Sequence, residues 1–325
     1  LLREQDAGDI MVLAGGTILL WVWRLLTPLP APVLAQQGPP APMNTGPAPI
    51  YAPTFAPACA PPAPPPDPRW LEKDERFIGE EERTGYIVGE QGLRGFIVPK
   101  HDAESLVESE DSFALNPADG RYAVADGVSG SELPRPWARA LARAFVRHPD
   151  YFFDPKTFQT MIPQLGDQWR QWVSNTWFKM INGRLPTDAD VDFQRRLKTG
   201  AQATLLGCAL RASKNRPGEY TADVLAVGDA DFFIFRRNAQ QQWQRLTAFP
   251  LEDPADFGRH PHTLLTNPDY TARAVEWRTT TQVAVKPGDL MVLGTDSIAK
   301  WLLDQQREQG ALWRDVLECS DPDRF

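Results

Sequence analysis

Cysteine is scarce in this chain of 325 residues: Cys59, Cys208 and Cys319 are far apart and odd in number. They make neither a disulfide framework nor a zinc site, and a reducing compartment is expected for the folded part. Positive charge is also short, with 34 Lys and Arg against 42 Asp and Glu and a net charge of −8. With no dense basic run, a nucleic-acid-binding surface is excluded. Gly89, Gly92 and Gly95 make neither a dinucleotide fingerprint nor a phosphate loop. Gly127-Val128-Ser129-Gly130-Ser131 falls short of a nucleophile elbow, because Ser131 stands where glycine is required. His260 and His262 have no Cys or third His near them and read as solvated loop residues rather than a zinc pair.

What is present begins with an apolar run from Ile10 to Leu26, interrupted only by Thr17 and Arg24. At ~1.5 Å per residue it can just cross a bilayer core of about 30 Å, and Trp21, Trp23 and Arg24 suit an interfacial belt. A membrane-crossing helix is therefore expected within residues 1–27, with the C-terminal part in the cytoplasm. A buried core helix and a signal peptide starting at Met11 are the competing readings; the latter lacks a basic leader. Residues 28–69 hold about half of the chain's 31 prolines, interleaved with alanine. Proline removes donors and fixes φ, so this stretch reads as an extended, non-globular spacer. The chain opens on Leu1 rather than Met and stops at Phe325, which reads as a fragment at both ends.

A globular domain is expected over residues 70–325. Strand-like runs are Gly85–Val88, Phe96–Pro99, Ser112–Leu115 and Tyr122–Ala125. Helical patterns follow at Glu132–Arg147 and Pro155–Met180, then strands at Ala203–Leu210, Ala222–Val227, Phe232–Arg236 and Trp243–Thr247. Phe249–Thr266 reads as a long loop, followed by strands Thr281–Val285 and Leu290–Gly294 and a helix Ile298–Gln306. Strands dominate, with two consecutive long helices between them, so the fold class is α+β rather than alternating βαβ. Tryptophans such as Trp169, Trp172 and Trp177 are most simply helix core.

The chemistry concentrates at strand ends. Asp126 follows the apolar run Tyr122-Ala123-Val124-Ala125, and Gly127 and Gly130 let the backbone turn tightly beside that charge. A carboxylate at the tip of a buried strand is costly unless neutralised, and a bound cation is the common solution. Glu110 and Asp111 precede Ser112-Phe113-Ala114-Leu115, and the short turn Asn116–Gly120 predicts a hairpin that brings Glu110 beside Asp126. Asp296 follows Leu290–Gly294, and Asp229 follows Val224–Gly228, in the same manner. Each aspartate alone is an ordinary turn or helix-cap residue. Together they suit hard cations such as Mg²⁺ or Mn²⁺.

Glu110-Asp111-Ser112-Phe113, Val124 to Gly130, Gly200 to Leu205, Val227-Gly228-Asp229-Ala230 and Leu293 to Ser297 together resemble the ordered motifs of the metal-dependent type 2C serine/threonine protein phosphatases. The similarity spans roughly Gly85 to Leu317. It implies a four-layer α/β/β/α sandwich of two mostly antiparallel sheets with a dinuclear Mg²⁺ or Mn²⁺ centre at one end. It implies hydrolysis of phosphoserine and phosphothreonine in proteins by a water bridging the two metals, in a monomeric catalytic domain. By the same resemblance, Asp126 and Asp296 are catalytic. Asp126 would bridge both ions, Glu110 and the Gly127 carbonyl would serve one, Asp296 the other. Asp111 would stand in or behind that shell, and Asp229 would match a third, looser site. Phe249–Thr266 would be the flap that shapes substrate choice.

Departures from the family pattern are Leu106 where many members grip the substrate phosphate with arginine, Val128 where some carry histidine, Ser297 in place of glycine, and Lys300 in place of a further aspartate. Lys100 or His101 would substitute in holding the substrate phosphate. The family's final Asp-Asn ligand pair would lie beyond Phe325. Leu106 and Ser297 also motivate an alternative, a degenerate phosphatase-like module that binds a partner without catalysis.

Overall fold

The structure, a computed structural model, describes residues 17–23, 78–79, 86–88, 93–98, 110–181, 191, 195, 197–212, 219–258 and 261–318. The chain opens with strands β1 (Thr17–Trp23), β2 (Ile78–Gly79), β3 (Tyr86–Val88), β4 (Leu93–Val98), β5 (Ser112–Asn116) and β6 (Arg121–Ala125). Helices α1 (Pro134–Arg147), α2 (Pro149–Phe153) and α3 (Pro155–Ile181) follow. Then come β7 (Gln202–Ala203), β8 (Leu205–Ala212), β9 (Tyr220–Val227), β10 (Asp231–Arg237), β11 (Trp243–Phe249) and β12 (Leu264–Leu265). Helix α4 (Pro268–Trp277), strands β13 (Thr279–Val285) and β14 (Leu290–Gly294), and helices α5 (Asp296–Arg307) and α6 (Leu312–Glu318) complete the described part.

The class is α+β with antiparallel sheets. One sheet runs β11-β10-β14-β1-β4-β3, the other β13-β9-β8-β6-β5-β2, and β12 pairs with β7. Period-two alternation decides which side chain faces where. In β6, Tyr122 and Val124 face a cluster shared with Phe232, Ile234, Met291 and Leu293 of the first sheet. Ala123 and Ala125 face the opposite way, into a cluster with Trp137, Phe145, Phe158 and Trp169 of the helices α1 and α3. On the far side of the first sheet, Phe233, Phe235, Leu290 and Val292 pack with Ile298, Trp301 and Leu302 of α5 and Trp313 of α6. The core is thus three apolar strata, one filled from both sheets and the other two each by the alternate residues of one sheet and the helices packed on it.

Of the segment expected to cross a membrane as a helix, residues 17–23 are described. Thr17–Trp23 is a strand, paired with β14 through Leu19 and Gly294 and with β4 through Thr17 and Val98. An apolar run of this length carries no period that separates helix from buried strand, and here the bonds go sideways to two neighbours. Among the described residues, no helix is long and apolar enough to cross a membrane. The rest of Ile10–Leu26, the proline-rich spacer, and Lys100 and His101 lie outside the described residues.

The stretch Phe249–Thr266, expected as a loop, contains a short 3₁₀ turn at Pro254–Asp256 and the strand β12. Helix α4, which the apolar pattern does not announce, starts where Asn267 caps it: the Asn267 side chain accepts the Asp269 amide at 3.0 Å, and Pro268 occupies the first turn.

Candidate carboxylate site

The β5–β6 hairpin forms as expected, with Ser112 opposite Ala125. Continuing the register brings the residues before β5 beside those after β6. A Cβ added to Gly127 would lie 2.6 Å from the Glu110 carbonyl oxygen and 2.8 Å from Pro134 Cβ, so only glycine allows this approach. The Ser129 hydroxyl donates to the Glu110 carboxylate.

Asp126 is held from the other side by Thr204, between β7 and β8. The Asp126 amide donates to Thr204 Oγ1 at 3.2 Å, and its carbonyl accepts the Thr204 amide at 2.8 Å. Thr204 also abuts Gly228, where φ is +106° and an added Cβ would sit 2.6 Å from Thr204 Cγ2. The residue after Gly228 is Asp229, so one threonine sets Asp126 and Asp229 close together. Opposite Asp229 comes Asp296, because Asp231 pairs with Gly294 in the antiparallel register of β10 and β14. The second sheet is tied to the first by Asp111, which is fully buried and whose Oδ2 accepts the Thr295 hydroxyl at 3.3 Å.

That placement sets the electrostatics. The Asp229 carboxyl is pushed up to about 7, first by burial and then by the negative charges of Asp296 and Asp126. Asp296 begins α5, and its Oδ1 accepts the Ser297 amide at 2.6 Å and the Ser297 hydroxyl at 3.1 Å. Serine at this departure from the family pattern therefore holds the aspartate it follows. Lys300 pairs with Asp304, one helical turn on, and stays within its own helix.

The structure brings Glu110, Asp111, Asp126, Gly127, Asp229 and Asp296 to one end of the two sheets. Among the described residues, no three His, Cys, Asp or Glu side chains are close enough to form a ready-made ion cage. The donor set is nevertheless all oxygen and strongly acidic, the chemistry that suits Mg²⁺ or Mn²⁺ rather than a thiophilic metal.

Asp231, two residues from Asp229, is a buried carboxylate that the sequence reading does not single out. Its Oδ1 accepts the Leu251 amide at 3.0 Å, and burial raises its carboxyl well above the ordinary range, with Asp229 adding to the rise. Its alternation with Asp229 was the available signal. The loop Phe249–Thr266 reaches the site by several contacts. Besides the Leu251–Asp231 bond, the His262 carbonyl lies 2.9 Å from where a Gly228 Cβ would be, and the Thr263 hydroxyl donates to Gln202 Oε1 at 3.2 Å. The His262 ring is not simply solvated: it stacks on Trp277 with centroids 4.8 Å apart and planes 8° from parallel.

Gly127→Ala gives a direct check of this geometry. The added methyl meets backbone on one side and a proline ring on the other, so Glu110 must move away from Asp126. We expect a loss of about 1–3 kcal/mol in urea unfolding and a weakened response to added Mn²⁺ in the same assay. An unchanged midpoint and unchanged response would contradict the close approach.

The site defines a class: an acidic, oxygen-lined centre assembled from the ends of two antiparallel sheets. Comparison with family models, curated proteins and solved structures finds no match for this chain.

Proposed function

We propose that this chain hydrolyses phosphate monoesters on serine and threonine of proteins, in the manner of the type 2C phosphatases its motifs resemble. The observation that carries the reading is the placement of Asp126, Asp229 and Asp296 at one end of the two sheets, with Thr204 between Asp126 and Gly228 and the β10–β14 register setting Asp296 opposite Asp229. The four-layer α/β/β/α arrangement is part of the same proposal, supported by the three apolar strata and the antiparallel register.

In this reading Glu110, the Gly127 carbonyl, Asp126 and Asp296 would hold two Mg²⁺ or Mn²⁺ ions, and Asp111 and Asp229 would supply further carboxylates. Bound divalent ions supply Lewis acidity that makes water a nucleophile at neutral pH. Asp126 and Asp296 orient that centre, and Thr204 and Thr295 fix the segments that carry them. Ser129 keeps the Glu110 carboxylate turned toward the Asp126–Gly127 turn. The test is turnover of p-nitrophenyl phosphate and a phosphothreonine peptide with Mn²⁺. Turnover that Asp126→Ala abolishes supports the reading; no turnover, or turnover insensitive to Asp126→Ala, removes it.

A metal-free binding module is the second reading, favoured by the absence of a three-residue ion cage among the described residues. Calorimetry separates the two, since a binding module takes up Mn²⁺ weakly or not at all.

A membrane tether through Ile10–Leu26 is a further part of the proposal, supported by the apolar run and its flanking tryptophans. It claims the same residues as β1. Carbonate-washed membranes and the urea midpoint of a chain beginning at residue 70 decide between them. Full-length protein that pellets, with an unchanged midpoint for the shortened chain, supports the tether. Soluble full-length protein with a lowered midpoint supports the strand.

A further inference from the structure

The far ends of the same strands carry the opposite charge. Strand β10 leaves the carboxylates at Asp231, and its 7 residues take the chain roughly 20 Å away at ~3.3 Å each. There the β10–β11 hairpin and the turn between β13 and β14 border a cleft of about 720 Å³, lined by Arg236, Arg237, Gln241, Trp243, Lys286 and Asp289 among others.

The cations in this cleft are arranged. Arg236 donates Nε to Asp289 Oδ1 at 2.6 Å and Nη2 to Oδ2 at 2.7 Å, a two-pronged grip on a buried carboxylate. Asp289 also accepts the Lys286 amide at 2.8 Å, so its oxygens are spent on fixing the turn. The Arg237 guanidinium lies 4.6 Å over the Trp243 ring, and its Nη1 donates to the Gln241 carbonyl at 3.0 Å. The Lys286 side chain is exposed, and among the described residues its ammonium has no partner. Among the described residues, the cleft is lined by Arg236, Arg237 and Lys286 and by one carboxylate, Asp289, which Arg236 grips, on a chain whose net charge is −8.

Strand β11 connects this cleft to the catalytic end. It starts at Trp243 in the cleft and ends at Phe249, which pairs with Phe232 one residue past Asp231. In the order of its sheet β11 is an edge: among the described residues no strand pairs with its outer side. Mid-strand, Leu246 is 44% exposed. An open edge accepts an extended peptide through main-chain bonds, and a charged pocket at its end selects which peptide.

We propose that the cleft and the β11 edge dock an extended acidic segment of the phosphoprotein attacked at the carboxylate site. The anionic side chains of that segment sit among Arg237, Lys286 and Arg236, about six or seven residues from the reacting phosphate. This rests on the phosphatase reading above. A nucleotide is the poorer fit, because Arg237 covers the Trp243 ring, which is only 5% exposed and offers no open face to a base.

The test compares two phosphothreonine peptides, one with a glutamate tract about six residues from the phosphothreonine and one with alanines there. They are assayed with the full chain and with Arg237→Ala/Lys286→Ala. For the full chain we expect KM about tenfold lower for the glutamate peptide, an advantage that fades with added salt. In the double variant KM for that peptide rises about tenfold, while its kcat and the turnover of p-nitrophenyl phosphate stay unchanged. Equal KM for the two peptides, or an equal KM change for both in the variant, overturns the proposal. A second arm needs no catalysis: a fluorescent, unphosphorylated glutamate peptide is titrated with protein in EDTA and followed by anisotropy. Binding weakened about tenfold by the double substitution supports the cleft even where no peptide is hydrolysed, in which case only the phosphatase reading falls. Binding indifferent to the substitution, or equally well displaced by inorganic pyrophosphate alone and by the acidic peptide, overturns the docked segment.

Discussion

Asp126→Asn is expected to abolish hydrolysis and at the same time stabilise the metal-free protein. Asparagine keeps the volume and leaves the backbone bonds to Thr204 in place, so the fold is not at stake. What changes is charge. Asp126 is one of the two carboxylates whose field raises the Asp229 carboxyl, and removing it relieves that repulsion. We expect urea unfolding in EDTA to show a gain of about 1 kcal/mol with an unchanged m-value. With Mn²⁺, turnover of p-nitrophenyl phosphate should fall by about three orders of magnitude, since a carboxylate that would hold the ions in the proposed reading has lost its charge. The two readouts move in opposite directions, which a merely damaged protein cannot imitate. A variant that is less stable and still active would refute the placement of Asp126 at the centre.

Trp137→Ala should cost more stability than any surface change. Trp137 is fully buried in the stratum between the second sheet and α1 and α3, beside Leu141 and Phe145. Its indole Nε1 donates to the Leu264 carbonyl at 2.8 Å. Truncation removes the ring, leaves a cavity and strands that carbonyl, so a loss of about 3–5 kcal/mol is expected in chemical denaturation. That is a large share of the ~5–15 kcal/mol typical of a folded domain. Trp137→Phe isolates the hydrogen bond and should cost about 1–3 kcal/mol. Leu264 lies in β12, opposite Ala203, next to the threonine that holds Asp126. Activity should therefore decline in Trp137→Phe before the protein unfolds, and an unaffected kcat would deny that link.

The parts of the fold legible in the sequence are those with local physics behind them. Apolar runs such as Tyr122–Ala125 and Phe232–Arg236 became strands, and the turn after Asn116 closed the hairpin that joins Glu110 to Gly127. Thr17–Trp23 was not legible, because a short apolar run has no period to tell helix from buried strand. Helix α4 was missed, although Asn267-Pro268 carries a start signal. At the site, strand-end carboxylates were visible, but the contact that seats Asp126 spans 78 residues to Thr204 and has no local trace. Asp231 escaped notice because a charge inside a strand only declares itself once its burial is known.

The bond from Thr295 to Asp111 joins the two sheets at the acidic end, whereas the helices grip each sheet from outside. Sliding of one sheet against the other must therefore break up the acidic centre while leaving the helical content intact. On warming, affinity for divalent ions should vanish ahead of the far-ultraviolet circular dichroism, so that the centre acts as a gauge of how tightly the halves of the molecule are shut.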